Sequence, residues 1–293
     1  MAYTLGEILD LSTKFLGDRP NVVDPTSGPE WLAACLLRVR SRTHLRTRRD
    51  QPVSDSMVEA MRRGVKRLAT GEPVQYIIRN WDFHGFQFVT DARALIPRPE
   101  TEQLVDYALQ SAAVKGVASP RFADVGTGTG CIAIALALLC PSCYVLATDI
   151  SDEALSLAKE NAARHCVQDR ISFVKGDFSD NNIEPGLLDV VVSNPPYIPT
   201  GDIERLPAAV RDFEPRVALD GGPDGMSVLR TVAEESSMAL RPGGALFMEL
   251  SAEHGHAEQM RPCLEQLGFE DVRVLNDYLG TNRFITGRLS EGA

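Results

Sequence analysis

Four consecutive residues can act together on one small group. Asn194-Pro195-Pro196-Tyr197 follows Val190-Val-Val-Ser193, an apolar run of the length and composition of a buried strand. The Asn194 side-chain oxygen can accept one hydrogen bond, and the Pro195 backbone carbonyl can accept another. Two acceptors in a fixed arrangement suit a planar nitrogen that carries two hydrogens. The lone pair of such a nitrogen is delocalised into a carbonyl or a ring, so it is a poor nucleophile. Holding both N–H groups encourages that lone pair to localise toward an incoming electrophile. Pro195 and Pro196 supply rigidity, because each fixes its own φ and restricts the residue before it. The Tyr197 ring can cover the flat group. A Pro-Pro pair is ordinarily a strand terminator. The flanking Asn and Tyr, at the end of a strand where open parallel sheets bind ligands, argue for chemistry instead.

A second cluster lies upstream. Arg121-Phe-Ala-Asp124-Val125 reads as a strand and runs into Gly126-Thr127-Gly128-Thr129-Gly130, after which a helix begins. Glycines there allow a tight turn and close approach of a ligand to the backbone. The dinucleotide fingerprint would place its third glycine at 131, which is Cys131, and no Gly-Lys-Ser/Thr follows. The GxGxG spacing preceded by Asp124 resembles the S-adenosylmethionine loop of class I methyltransferases. Asp149, at the end of the next strand, can accept both hydrogens of a ribose diol, because two acceptor oxygens match two vicinal hydroxyls. Ser151 and Asp152 already serve the start of the helix that follows. The same resemblance puts Asp177 near the adenine amino group and Phe178 against the adenine ring, where plain core packing is the competing role for Phe178. With this cofactor no strong base is needed before attack. The sulfonium is a good leaving group, and the proton can be lost after transfer. Catalysis then consists of positioning and electrostatic preorganisation.

The elements that must hold these residues follow from patterning. Residues 1–73 read as helical: Leu5, Ile8, Leu9, Ser12 and Phe15-Leu16 lie near a 3.6-residue period. Pro29 is expected to open a second helix running to about Arg40, and Ser54 to cap a third that Gly71 and Pro73 stop. Residues 74–96 read as a β-hairpin linker, with Tyr76-Ile77-Ile78 and Phe86-Gln87-Phe88-Val89 as strands and His84-Gly85 near the turn. Residues 97–293 then alternate. Strands are expected near 121–125, 143–148, 171–175, 187–193, 244–250, 271–276 and 282–288. Helices are expected near 99–115, 129–139, 152–165, 225–240 and 256–267. Such alternation predicts an α/β fold with a mainly parallel seven-stranded sheet covered on both faces. The last two strands, joined by a short turn, should be antiparallel neighbours.

Length and composition agree. The 293 residues are 44% hydrophobic and 24% charged, which excludes a disordered or disulfide-stapled chain. The net charge is −10. Residues 1–73 carry 12 Lys and Arg against 9 Asp and Glu, a net of +3, which leaves −13 for the rest. A protein that grips duplex DNA along its backbone carries a basic surplus, so direct nucleic-acid binding is not expected. Arg38, Arg40, Arg42, Arg46, Arg48 and Arg49 form either a solvated helix end or a docking face for an acidic partner or RNA. Cys140 and Cys143 form a lone CxxC without a second pair or suitably spaced His, and read as small apolar filler rather than a metal site. The longest apolar run, Cys131 to Cys140, is half of what a membrane span of about 20 residues needs. Glu7 and Asp10 fit neither a signal nor a transit peptide, so the chain reads as cytoplasmic.

The motifs together resemble the HemK/PrmC family. The matching blocks are Gly71-Glu-Pro-Val-Gln-Tyr-Ile77, Phe83-His-Gly85, Leu95-Ile-Pro-Arg-Pro-Glu-Thr-Glu102, Asp124 to Ala135, Ser193-Asn-Pro-Pro-Tyr-Ile198 and Phe213-Glu-Pro-Arg-Val-Ala-Leu-Asp-Gly-Gly222. They run in family order, and Asp277, Gly280 and Arg283 match its C-terminal hairpin. The resemblance implies a class I, Rossmann-like methyltransferase domain. It implies S-adenosyl-L-methionine as cofactor, no metal, and methylation of N5 of the glutamine in the Gly-Gly-Gln motif of peptide chain release factors. It also implies a helical N-terminal domain that helps hold the release factor, and a monomer is expected. The loop at Arg98, Glu100 and Thr101 is placed beside the cofactor pocket, although Arg98-Pro99-Glu100 also reads as a plain helix start. Two departures stand out. Arg79 replaces the usual Gly, and Glu249-Leu-Ser with the His254 region replaces the usual sequence there. That second region is expected to border the cofactor edge without touching the tetrad. The competing activity is an adenine-N6 nucleic-acid methyltransferase with the same tetrad, which would have to flip its base. A cofactor-binding protein without catalysis, and a relative acting on lysine or other protein targets, are further alternatives. An intact tetrad and the N-terminal helical segment speak against them.

Overall fold

The computed structural model describes residues 3–22, 24–39, 41–176 and 184–292. The chain divides into two units, 1–80 with 206–213, and 81–205 with 214–293.

The first unit is helical. It contains α1 (Leu5–Gly17), α2 (Ser27–Leu36), α3 (Thr43–Arg46), α4 (Asp55–Leu68), α5 (Val74–Ile78) and a single turn at Ala208–Arg211. Its core is the apolar stripe of each helix, including Leu5, Leu9, Leu16, Leu32, Met61, Val65 and Leu68. Thr4 and Glu7 form a reciprocal capping box on α1, and the Ser54 hydroxyl accepts from Met57 N–H to start α4. The second helix starts two residues ahead of Pro29 and ends at Leu36. Asp24 Oδ1 accepts from the N–H groups of Thr26 and Ser27, which organises the entry turn earlier, and Arg38 at φ 54° takes the chain out of helix. Arg40 lies outside the described residues.

One expected strand is a helix. Tyr76-Ile77-Ile78 belong to α5, where Tyr76 is buried and Val74, Ile77 and Ile78 pack on the helical core. Local β-branched character lost to burial on that core. Arg79, at φ 52°, ends α5 in the left-handed conformation that usually calls for glycine. The Arg79 departure therefore concerns a helix end. The hairpin itself is β1 (Trp81–Phe83) paired with β2 (Phe86–Phe88), and it turns at His84 (φ 54°) and Gly85 (φ 77°), the conformations of a tight two-residue hairpin.

The second unit carries this hairpin and a seven-stranded sheet. Its helices are α6 (Pro99–Gln110), α7 (Cys131–Leu139), α8 (Asp152–Arg164), α9 (Ser227–Ala239) and α10 (His256–Gln266). The sheet strands are β3 (Arg121–Val125), β4 (Tyr144–Asp149), β5 (Ile171–Lys175), β6 (Leu188–Ser193), β7 (Leu240–Glu249), β8 (Phe269–Asn276) and β9 (Asn282–Leu289). Their order is β5-β4-β3-β6-β7-β9-β8. The first five run parallel, and β9 is antiparallel to both β7 and β8. Alternate residues feed two apolar layers. Phe122, Val190, Val192 and Phe247 pack with residues of α6 and α7, while Ala123, Val191, Leu246 and Met248 pack with α9 and α10. The first helix of this unit is shorter than expected, because Ser111 turns to ψ 141°. Strand β7 starts earlier than expected, at Leu240. The strand order reverses at β3. Its successors β4 and β5 lie on one side and β6 and β7 on the other, which opens a crevice at the carboxyl ends of β3 and β6.

Candidate active site

The glycine loop and the tetrad meet at that crevice. Val125 pairs with Ser193, so Gly126 and Asn194 leave neighbouring strands side by side. A cavity of about 660 Å³ opens between them. Gly126 to Thr129, Asp149, Ile150, Gly176, Thr101 and Ile96 to Arg98 line it, together with Asn194, Pro195 and Pro196. Pro215 to Ala218 and Asp220 form a farther wall. Its volume is that of a site for a medium-sized organic ligand.

The loop is shaped by its own carboxylates. Asp124 Oδ2 accepts from Thr127 Oγ1 at 2.6 Å and from Ala133 N–H at 3.0 Å, tying the loop to the start of α7. Burial of this carboxyl pushes its pKa up to about 7, against the two hydrogen bonds. Gly126 and Thr127 both donate to Thr148 O at 2.9 Å. Gly130, at φ 80°, packs so closely on α8 that a Cβ would lie 3.2 Å from Ala158 Cα, which only glycine allows without a shift. Asp149 uses both oxygens. Oδ2 accepts from Gly128 N–H and Oδ1 from Ser151 N–H, each at 2.9 Å. Burial raises its pKa, and those N–H groups oppose the rise. Each oxygen keeps a further lone pair for a ligand hydroxyl. The Ser151 hydroxyl caps α8 by accepting from Ala154 N–H, as the sequence predicts. Asp177 and Phe178 lie outside the described residues.

Three residues of the site escaped the sequence reading. Buried Asn161 donates to Thr129 O at 2.9 Å and Val89 O at 3.1 Å, and accepts from Val89 N–H at 2.7 Å, so α8 clamps the loop to the segment after the hairpin. Glu214 accepts from Ile96 N–H at 3.1 Å and from Arg98 Nη2 at 2.6 Å, which pins the Ile96–Arg98 wall of the cavity. Glu249, expected to stand apart from the tetrad, in fact joins it. Thr101 Oγ1 donates to Glu249 Oε2 at 2.7 Å, Asn194 Nδ2 donates to Thr101 Oγ1 at 3.1 Å, and Tyr197 Oη lies 3.5 Å from Glu249 Oε1. The reason is register. Ser193 pairs with Met248, so Asn194 and Glu249 are the next residues on adjacent parallel strands. Burial pushes Glu249 up to about 7, with Thr101, Arg283 and Arg98 opposing the rise and Glu100 adding to it. Burial also raises the Tyr197 phenol, and the nearby Glu249 charge adds to that. Tyr197 stands behind the cavity wall, with its ring against the layer that includes Met226 and Met248.

Comparison with known proteins places this arrangement. The family model for the PrmC N-terminal domain matches residues 7–78, and that for the methyltransferase small domain matches residues 104–209. A release factor glutamine methyltransferase of Chlorobaculum tepidum is 38% identical over 94% of each chain. Another, of Geobacter sulfurreducens, is 36% identical over 98% of this chain and 97% of its own. The chain belongs to the release factor glutamine methyltransferase family. Among solved structures, the catalytic domain of hMettl16 in complex with MAT2A 3′UTR hairpin 6 is 17% identical and superposes with a TM-score of 0.56, covering 81% of this chain and 82% of that one. At that identity it supports the fold alone. The sheet here has seven strands, and the family match makes the chain a methyltransferase.

Cys131 and Cys143 are buried, and burial pushes both thiols up to about 12, which removes thiolate chemistry near neutral pH. Of the basic stretch in the first unit, Arg42 pairs with Glu30 at 3.3 Å and Arg49 with Asp10 at 2.7 Å, while Arg46 and Arg48 are exposed. No helix among the described residues is long and apolar enough to cross a membrane.

Proposed function

We propose that this protein methylates N5 of the glutamine in the Gly-Gly-Gln motif of peptide chain release factors, using S-adenosyl-L-methionine. One observation carries the reading: Asn194 and Pro195, which offer acceptors suited to a primary amide nitrogen, line the same cavity as the glycine loop. The donor set suits the cofactor. Asp149 offers spare lone pairs at the end of β4 for a ribose diol, and the backbone of Gly126 to Gly128 faces the same space. When bound, S-adenosylmethionine supplies an electrophilic methyl group on a sulfonium.

The remaining work belongs to the chain. The Pro195 carbonyl and the Asn194 side-chain oxygen accept the two amide N–H groups of glutamine. That fixes the nitrogen and turns its lone pair toward the methyl. Pro196 keeps this turn rigid. The proton leaves after transfer, so no side chain must act as a strong base. Losing the Asn194 acceptor should cost on the order of 10²–10³ in rate, by analogy with an oxyanion-hole donor. Asp177 and Phe178 complete the adenine site in this reading, and the helical first unit helps to hold the release factor. The protein acts as a cytoplasmic monomer and contacts no nucleic acid directly.

Labelled S-adenosylmethionine, offered in parallel with a recombinant release factor and with duplex DNA, tests the substrate class. Label in the release factor supports the reading. Label in DNA adenine would keep the tetrad chemistry and overturn the partner.

A further inference from the structure

A side-chain amide has two orientations of nearly the same shape, with oxygen and nitrogen exchanged. At a site that must accept an N–H, only one works. The other turns an N–H group toward an N–H group. The Pro195 carbonyl is held by covalent geometry, but Asn194 has no such constraint of its own.

We propose that Thr101 and Glu249 are positioning residues that fix the Asn194 amide with its oxygen toward the substrate. The inference rests on the reading above, in which Asn194 accepts from an amide nitrogen. A threonine hydroxyl has one proton, and Thr101 gives it to Glu249 Oε2 at 2.7 Å. Above pH 7, where Glu249 is mainly ionised, its carboxylate can only accept, and that sets the direction of this bond. The Thr101 oxygen is then left with lone pairs alone, and it takes an N–H of Asn194 Nδ2 at 3.1 Å. With Nδ2 committed, Oδ1 is the atom that remains for the cavity that Asn194 lines. Thr101 and Glu249 are each 2% exposed, so water does not compete for these bonds. Strand register puts Asn194 beside Glu249, and Thr101 stands in the first turn of α6. Three elements thus converge on one amide, and the aligned chain runs Asn194 to Thr101 to Glu249.

The test is a double-mutant cycle on the full chain at pH 8, where Glu249 is mainly ionised, with a release factor and labelled S-adenosylmethionine as substrates. Thr101→Val keeps the shape and removes the hydroxyl. It should lower kcat by about tenfold, leaving KM for the release factor and Kd for the cofactor within about threefold. Thr101→Ser, which restores the hydroxyl, should recover most of that loss. In an Asn194→Ala background, Thr101→Val should cost nothing further. A tenfold cost that persists in that background would overturn the proposal, because Thr101 would then act by general support of the fold. An unchanged kcat in Thr101→Val alone would also overturn it. A second readout is independent of the acceptor. The side-chain ¹⁵N amide resonance of Asn194, assigned by its loss in Asn194→Ala, should move in Thr101→Val and stay in Thr101→Ser. A resonance unmoved by Thr101→Val overturns the relay. Inactivity of the wild-type protein on release factors would refute only the substrate reading, and this resonance would still decide the relay.

Discussion

Asp149→Asn isolates the cofactor cradle with one atom changed. The wild-type carboxylate serves two backbone donors with separate oxygens, Gly128 N–H with Oδ2 and Ser151 N–H with Oδ1, both at 2.9 Å. An asparagine has one oxygen. Whichever way it turns, an Nδ2 group faces one of these N–H groups, and one buried donor loses its partner. Leaving such a donor unsatisfied costs about 1–3 kcal/mol. If Nδ2 faces Gly128, the loop itself is displaced. If it faces Ser151, the start of α8 loosens instead. In either case an acceptor for the ribose diol is also lost. In the proposed site the cofactor binds the wild-type arrangement, so that cost should appear as roughly a five- to 150-fold weaker Kd for S-adenosylmethionine. Isothermal titration of the wild-type and variant proteins measures it, and a circular dichroism spectrum checks that the variant folds. An Asp149→Asn protein that folds and binds the cofactor within twofold of wild type would refute this role for Asp149.

Other expectations follow from the buried polar groups. Burial raises Asp124 from 3.8 to about 7, so the native protein holds a proton that the unfolded chain has released across that window. Stability from this group is full below pH 3.8, falls as pH rises and is lost once pH passes about 7. Asp124→Asn removes this slope. Between pH 5 and pH 8, wild type should lose on the order of 2–3 kcal/mol more than the variant in urea titrations, and parallel curves would contradict the assignment. Tyr197 Oη lies 3.5 Å from Glu249, at the limit of a hydrogen bond. Tyr197→Phe should therefore lower kcat by about threefold at most, whereas Tyr197→Ala, which removes the ring, should cost tenfold or more. Equal losses in the two variants, read in the methyl-transfer assay, would assign the role to the hydroxyl instead.

Much of the sheet was legible because its strands carry β-branched or apolar runs, several of them next to Gly or Pro, as at 121–125 between Pro120 and Gly126 and at 171–175 before Gly176. The site was legible where glycines and prolines impose backbone geometry. Gly126 to Gly130 and Pro195-Pro196 restrict what a chain can do, so their types alone say where a ligand can approach. The misreadings have a different origin. Tyr76 to Ile78 have strand-like side chains but are helical, because burial on the first unit's core decided their conformation. Glu249 was set apart from the tetrad because the two lie far apart in sequence. Only the pairing of Ser193 with Met248 brings them together. Asn161 and Glu214 are ordinary polar residues in sequence. Their roles come from partners such as Val89 and Ile96, which long-range packing supplies. Pairing and packing between distant segments are what periodicity cannot express.

In the proposed function, Asn194 and Pro195 orient a glutamine amide nitrogen for methyl transfer. Mass spectrometry of a release factor, incubated with S-adenosylmethionine and either wild-type protein or Asn194→Ala, tests it most directly. The expected result is one added methyl, on the side-chain nitrogen of the Gly-Gly-Gln glutamine, with wild type, and a rate lower by on the order of 10²–10³-fold with the variant. A methyl on another residue, or an Asn194→Ala protein that matches wild type, would contradict it.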